Sequence, residues 1–145
     1  MPTWAILVIG GVLPAACWGV TAIFQKQSAV GGAHPAQYLA VFGAIIALAG
    51  IGWLIFARDA TWTRAGTFNA ALAGVTFAIA SSLLSFTLWR YGAPISKLAP
   101  ILSCNVLVTV TIGAIFLGEG AKLNLPVLGL GTLLIVGGAI LVSNA

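Results

Sequence analysis

Pro14, Trp18, Thr21 and Gln25 stand four, three and four residues apart. That spacing lines up a proline, an indole, a hydroxyl and an amide along one side of a helix. Proline has no N–H to give, so a backbone carbonyl upstream loses its donor, and the stripe sets hydrogen-bonding groups beside a break in the helix. Broken helices are where membrane transporters often coordinate solutes near the midplane. A plain kink is the competing reading, because membrane helices tolerate proline. A second polar set surrounds Pro100: Ser103, Asn105, Thr109 and Thr111. Asn105 is the costliest of these to turn toward lipid, since its amide carries two donor hydrogens and an acceptor. It should face a neighbouring helix or a cavity, and interhelical hydrogen bonding accounts for it without transport. Ser81, Ser82 and Ser85 form a third set, each able to bond back to a carbonyl of its own helix.

Other chemistry is missing from the pattern. Asp59 and Glu119 are the two acids, and both fall at expected helix ends, so no carboxylate stands near the middle of a span. That argues against a carboxylate-based proton relay. His34 lies in a loop of glycine and proline and reads as a surface residue. Cys17 and Cys104 fall inside apolar runs, where a small buried hydrophobe fits better than a disulfide or a metal ligand. Without an acid–base pair, a metal cluster or an activated nucleophile, the expectation is a protein that is not an enzyme and holds no cofactor or metal.

The elements that must position these residues follow from composition. Of the 145 residues, 61% are hydrophobic and 6% charged, against about 45–50% and about 25% in soluble domains. A soluble fold would lack the polar residues to cover its surface. Spans of about 20 residues fit the length five times. They are expected near 3–24, 37–57, 67–89, 96–117 and 125–143, a single all-α transmembrane domain over 1–145. The first run lacks the basic residues that precede a signal-peptide core and is expected to be a true helix. Polar or Gly/Pro-rich stretches separate the spans, the tightest being Arg90 to Pro94, which predicts an antiparallel hairpin of spans three and four. Asn124 is the expected cap of the last span. Trp89 and Tyr91, at a span end, suit an interfacial aromatic belt.

Small residues recur in rows that predict close helix packing. They are Ala36, Ala40, Gly43, Ala47 and Gly50 in span two, Gly74, Ala78, Ser81 or Ser82, and Ser85 in span three, and Gly129, Thr132, Val136, Ala139 and Ser143 in span five.

Net charge is +4, but the basic residues sit singly at span ends, so a nucleic-acid partner is not expected. With five spans, Arg58, Arg64 and Lys122 share one side of the membrane, and Lys26, Arg90 and Lys97 the other. An even tally gives the positive-inside rule no bias. Such a chain is expected to insert in both orientations and to pair as an antiparallel homodimer, the inverted-repeat plan of many transporters built from two chains. A single orientation fixed by features outside the tally is the alternative.

Trp18-Gly19 in span one, Arg90-Tyr91 ending span three, Pro100 inside span four, Leu117-Gly118-Glu119 closing it, and Gly129, Gly131, Gly137 and Gly138 in span five occur in an order that resembles one repeat of the drug/metabolite transporter superfamily, of the EamA type. The resemblance covers nearly the whole chain. It implies a five-helix half-transporter that pairs with an oppositely oriented copy into a ten-helix unit, in a prokaryotic inner or plasma membrane. The central cavity of such proteins is built mainly from the first, third and fourth helices. The candidate substrate-binding residues are therefore Pro14, Trp18, Thr21, Ser81, Ser85, Asn105 and Thr109. Glu119 matches an acidic position of the family and reads as structural. The small multidrug resistance branch has four helices and a membrane-embedded glutamate in the first, where this chain has Pro14. Proton-coupled export of cationic drugs is accordingly not expected, although the Trp18 ring face would attract a cation.

The expected function is transport of small organic metabolites by alternating access, with substrate and membrane lipid as the other partners. Two alternatives stay open: a non-transporting membrane subunit that pairs with another protein, and a flippase for lipid-linked substrates. Basic residues at both mouths tilt slightly against strongly cationic solutes, within a screening length of about 8–10 Å.

Overall fold

The computed structural model describes residues 3–57, 60–116 and 124–144, and among these every regular element is helical. Five helical stretches are long and apolar enough to cross a membrane: Trp4–Val30, Pro35–Phe56, Arg64–Tyr91, Ile95–Ala114 and Pro126–Ser143. Burial agrees with a lipid environment. Few apolar residues are buried among those described, Leu88, Ala139 and Pro35 being examples, while large side chains such as Trp53, Phe56 and Leu141 are open on the surface. In water such a surface would drive aggregation; in hydrocarbon it is at no disadvantage. Arg58, Asp59, Leu117, Gly118, Glu119 and Lys122, which figure in the sequence reading, lie outside the described residues.

The chain divides into two compact units, Met1–Gly92 and Ala93–Ala145. The first begins with α1 (Thr3–Leu7), one π-helical turn (Val8–Val12) and α2 (Leu13–Val30). The π turn has a local cause. In a regular helix the Pro14 ring would press on the Gly10 carbonyl four residues back. The wider turn relieves this, with the Leu13 N–H donating to the Val8 carbonyl five residues back.

Helix α2 then continues through Gln25, Lys26, Gln27 and Ser28, which corrects the expected end at Phe24. The polar quartet does not stop it because Gln25 and Lys26 both find acceptors on another helix and no glycine intervenes before Gly31. The chain reverses there, with Gly32 at φ +83°, a left-handed conformation that favours glycine.

Helix α3 (Pro35–Phe56) opens with proline in its first turn and His34 as its cap, the Ala36 N–H donating to Nδ1 at 3.2 Å. Helix α4 (Arg64–Tyr91) starts a turn earlier than expected because Thr63 caps it, its Oγ1 accepting from the Gly66 N–H at 3.2 Å. It ends at Gly92, in the left-handed conformation at φ +61°.

The second unit holds α5 (Ile95–Leu102), α6 (Asn105–Phe116) and α7 (Leu125–Ser143). Span four, expected as one helix over 96–117, is broken at Ser103 and Cys104. Pro100 deprives the Ser96 carbonyl of its donor. Downstream the backbone tightens into three-residue bonds, from the Cys104 N–H to Ile101, from Val106 to Ser103 and from Leu107 to Cys104. Helix α7 is capped as expected, the Val127 N–H donating to Asn124 Oδ1 at 3.4 Å.

Helix α7 packs on α5 through its small-residue row: Thr132 and Ala139 are buried, Val136 and Ser143 partly so. The α3 row is different. All five of its residues are exposed, and a Cβ added at Gly43 or Gly50 would meet nothing within 4 Å. The face of α3 that does pack is the opposite one, where Phe42 stacks on Phe77 of α4 with ring centroids 6.0 Å apart.

Candidate functional site

The polar stripe of α2 and the serine set of α4 meet. Gln25 Nε2 donates to Ser85 Oγ at 2.8 Å and to the Ser81 backbone carbonyl at 3.3 Å. Gln25 is 6% exposed and Ser85 4%, so this node lies in the dry seam between the two helices. A backbone carbonyl only accepts, so the group facing Ser81 must be the NH₂ of the Gln25 amide, which fixes the amide's orientation. Ser82, by contrast, bonds back to the Ala78 carbonyl at 2.7 Å, as serines in membrane helices commonly do.

The next residue of α2, Lys26, donates from Nζ to the Gly92 carbonyl at 2.9 Å. Its positive charge thus sits at the negative C-terminal end of α4, a favourable placement for a cation. His34 packs edge-on against Trp89 with centroids 5.1 Å apart. It is an exposed residue, as its loop position suggested, but it also ties the α2–α3 loop to the end of α4.

Helices α2 and α3 and the loop between them line a cleft of about 620 Å³, within the range of small-molecule sites. Thr21, Phe24 and Ser28 line its α2 wall, and Tyr38, Phe42 and Ile45 are among the residues of its α3 wall. Gln25 follows Thr21 by four residues and precedes Ser28 by three, but it turns into the seam with α4 and is not among the residues that line the cleft. Tyr38 and Phe42 stack at 5.3 Å and give the α3 wall an aromatic surface.

The seven candidate residues divide accordingly. Ser81 and Ser85 join the node and Thr21 lines the cleft, its hydroxyl donating to the Cys17 carbonyl at 2.9 Å. Pro14 is half-buried beside the π turn, more than two turns away along the helix. Trp18, two-thirds exposed, is on the lipid-accessible surface of its unit rather than in the cleft. Asn105 and Thr109 are exposed in the second unit; Thr109 bonds back to the Asn105 carbonyl at 3.2 Å, and the Asn105 amide makes no hydrogen bond among the described residues. Sequence reasoning placed Gln25 in the stripe but not in the site, since it seemed to end the span. The signal that finds it is its four-residue step from Thr21, which holds only if the helix continues.

Among the described residues, no three His, Cys, Asp or Glu side chains gather as a metal site would require. The fold is that of a multi-pass helical membrane protein. Compared with protein-family models, curated proteins and solved structures, the chain matches none.

Proposed function

We propose that the protein moves small organic metabolites across the membrane by alternating access, as an antiparallel pair of identical chains related to the drug/metabolite transporters. The observation that carries this reading is the Gln25–Ser85–Ser81 node, which links the two polar stripes expected to line a cavity, on a helix whose Thr21, Phe24 and Ser28 line an open cleft of about 620 Å³. The π turn before Pro14 and the broken fourth span supply irregular backbone of the kind found at transporter binding sites and hinges. The even distribution of basic residues supports dual insertion. The bare Asn105 amide and the uncovered small-residue row of α3 are suited to contact a second chain.

Two measurements test the reading. Purified protein in liposomes is loaded with unlabelled amino acids, nucleobases or sugars and challenged with the labelled compound outside. Saturable, protein-dependent exchange of at least one compound is expected; none for any of them sinks the transport reading. Single cysteines at Ser28 and Thr63, in a chain lacking Cys17 and Cys104, are labelled in intact cells with a membrane-impermeant reagent. Dual insertion requires both to label, in separate populations; labelling of one site alone overturns it.

A further inference from the structure

The α2–α3 cleft changes character along its length. Ser28, Gln37 and Tyr38 line its loop end, and Phe24, Phe42 and Ile45 line it further in. Ser28 and Tyr38 are half-buried, and none of the three polar side chains makes a hydrogen bond among the described residues. Thr21, deeper along α2, spends its hydroxyl on the Cys17 carbonyl. Helical side chains lean toward the N-terminus of their helix. Since α3 begins at the loop, Gln37 and Tyr38 lean toward the membrane surface, and stacking on Phe42 holds the Tyr38 ring. Ile45 is the eleventh residue of the 22-residue span Pro35–Phe56, so the cleft runs from the loop to the middle of the span. From Gln37 to Ile45 is about 12 Å at 1.5 Å per residue, most of one leaflet's half of a hydrocarbon core of about 30 Å. No residue that lines the cleft carries a charge.

We propose that the cleft holds an uncharged amphiphile drawn from one leaflet of the bilayer, a hydroxyl-bearing head on a single apolar chain, as in a monoacylglycerol. The chain lies along Phe24, Phe42 and Ile45. The head lies at the loop end, where Ser28, Gln37 and Tyr38 exchange hydrogen bonds with its hydroxyls and ester carbonyl. Lipid tails are as apolar as the cleft wall, so the chain alone gains nothing by leaving the bilayer. Selection therefore falls to the head. A charged head would give up hydration for a site that offers no opposite charge, and an alkane would leave all three polar side chains unmet. The inference goes beyond the transport reading: it requires neither pairing of chains nor exchange of solutes.

The test is photolabelling of the full chain in phosphatidylcholine nanodiscs with a decanoylglycerol whose chain ends in a diazirine, the adducts being located by peptide mass spectrometry. Adducts on Phe24, Phe42 and Ile45 that saturate as probe is added are expected. Unlabelled decanoylglycerol should displace the probe at about one tenth of the membrane mole fraction needed with decyl sulfate, decyltrimethylammonium or decane, the ratio that one hydrogen bond of about 1.4 kcal/mol supplies. Ser28→Ala together with Tyr38→Phe, which keeps the stacked ring, should bring that ratio close to one. Labelling that never saturates and spreads over Ile46, Ile51 and Ile55, exposed on α3 outside the cleft, overturns the proposal; a surface bathed in bulk lipid, or a cleft covered by protein, gives that pattern. Equal displacement by all the competitors overturns it too, as does an unchanged ratio in the double variant. Both wild-type readouts hold whether or not the variant folds.

Discussion

The two units of this chain share one way of satisfying polar side chains and differ in another: hydroxyls in both bond back to their own helices, as Ser82 does to Ala78 and Thr87 to Leu83, and the first unit adds side chains that reach between helices. In Met1–Gly92 the amide of Gln25 and the ammonium of Lys26 reach from α2 to α4, so polar groups fasten one helix to another. In Ala93–Ala145 the hydroxyls turn inward: Ser103 bonds to Ala99, Thr109 to Asn105, Thr132 to Leu128 and Ser143 to Ile140, each on its own helix. What holds α5 to α7 is the fit of small side chains. The proline-bearing spans also contrast. Before Pro14 the helix widens into a π turn; after Pro100 it tightens into three-residue bonds. A polar clamp fixes which residues face each other, whereas a seam of small side chains lets helices approach closely without fixing their partners chemically. The first unit therefore fixes its helix partners through specific polar contacts, and the second through close packing.

Substitutions can break or sharpen this contrast. The largest effect is expected from Gln25→Ala, which removes a buried side chain and strands Ser85. A loss of roughly 2–4 kcal/mol is expected, within the range for truncating a buried side chain of this size, read from reversible unfolding in mixed micelles. A loss below that of Thr132→Val would erase the distinction between the units. Next is Gly92→Ala, which forces a side chain into the left-handed conformation that closes α4; about 1–2 kcal/mol is expected by the same assay. A double-mutant cycle of Gln25→Ala and Ser85→Ala should then give a coupling of about 0.6 kcal/mol, the average for interhelical bonds in membranes, and at most about 1.7 kcal/mol. Zero coupling would mean that the 2.8 Å contact contributes nothing beyond packing. Smallest is Thr132→Val, which keeps shape and removes only a bond to the residue's own helix. A change within about 0.5 kcal/mol is expected.

The architecture was readable from the residues because hydrocarbon allows so few solutions: an apolar run of about 20 residues must be a helix. Span five matched at both ends, since Asn124 is a cap by chemistry as well as by position. Span one did not, because Gln25 to Ser28 look like a helix end when read singly; that two of them have acceptors on α4 depends on tertiary contact, which local composition does not encode. The interruption of span four had a visible cause in Pro100, but its location three residues downstream did not. Of the site, Ser81, Ser85 and Thr21 were legible as polar residues at helical spacing. The aromatic wall of α3 was not, because nothing in the spacing of Tyr38 and Phe42 separates them from the other apolar residues of the span, and their stacking and place on the cleft depend on tertiary contact.

The π turn has a consequence for what stands at either end of the first span. Each residue of a regular helix advances the side-chain direction by about 100°. A turn holding one residue more than the regular repeat therefore offsets everything before it, so Trp4 and its neighbours are out of phase with the stripe that begins at Pro14. Removing a single residue from Val8–Val12 would swing the leading end around the rod's axis by about that angle and leave the Gln25 clamp untouched. The first span thus behaves as two rods joined by a phase shift, so that one end can be re-aimed while the other keeps its grip.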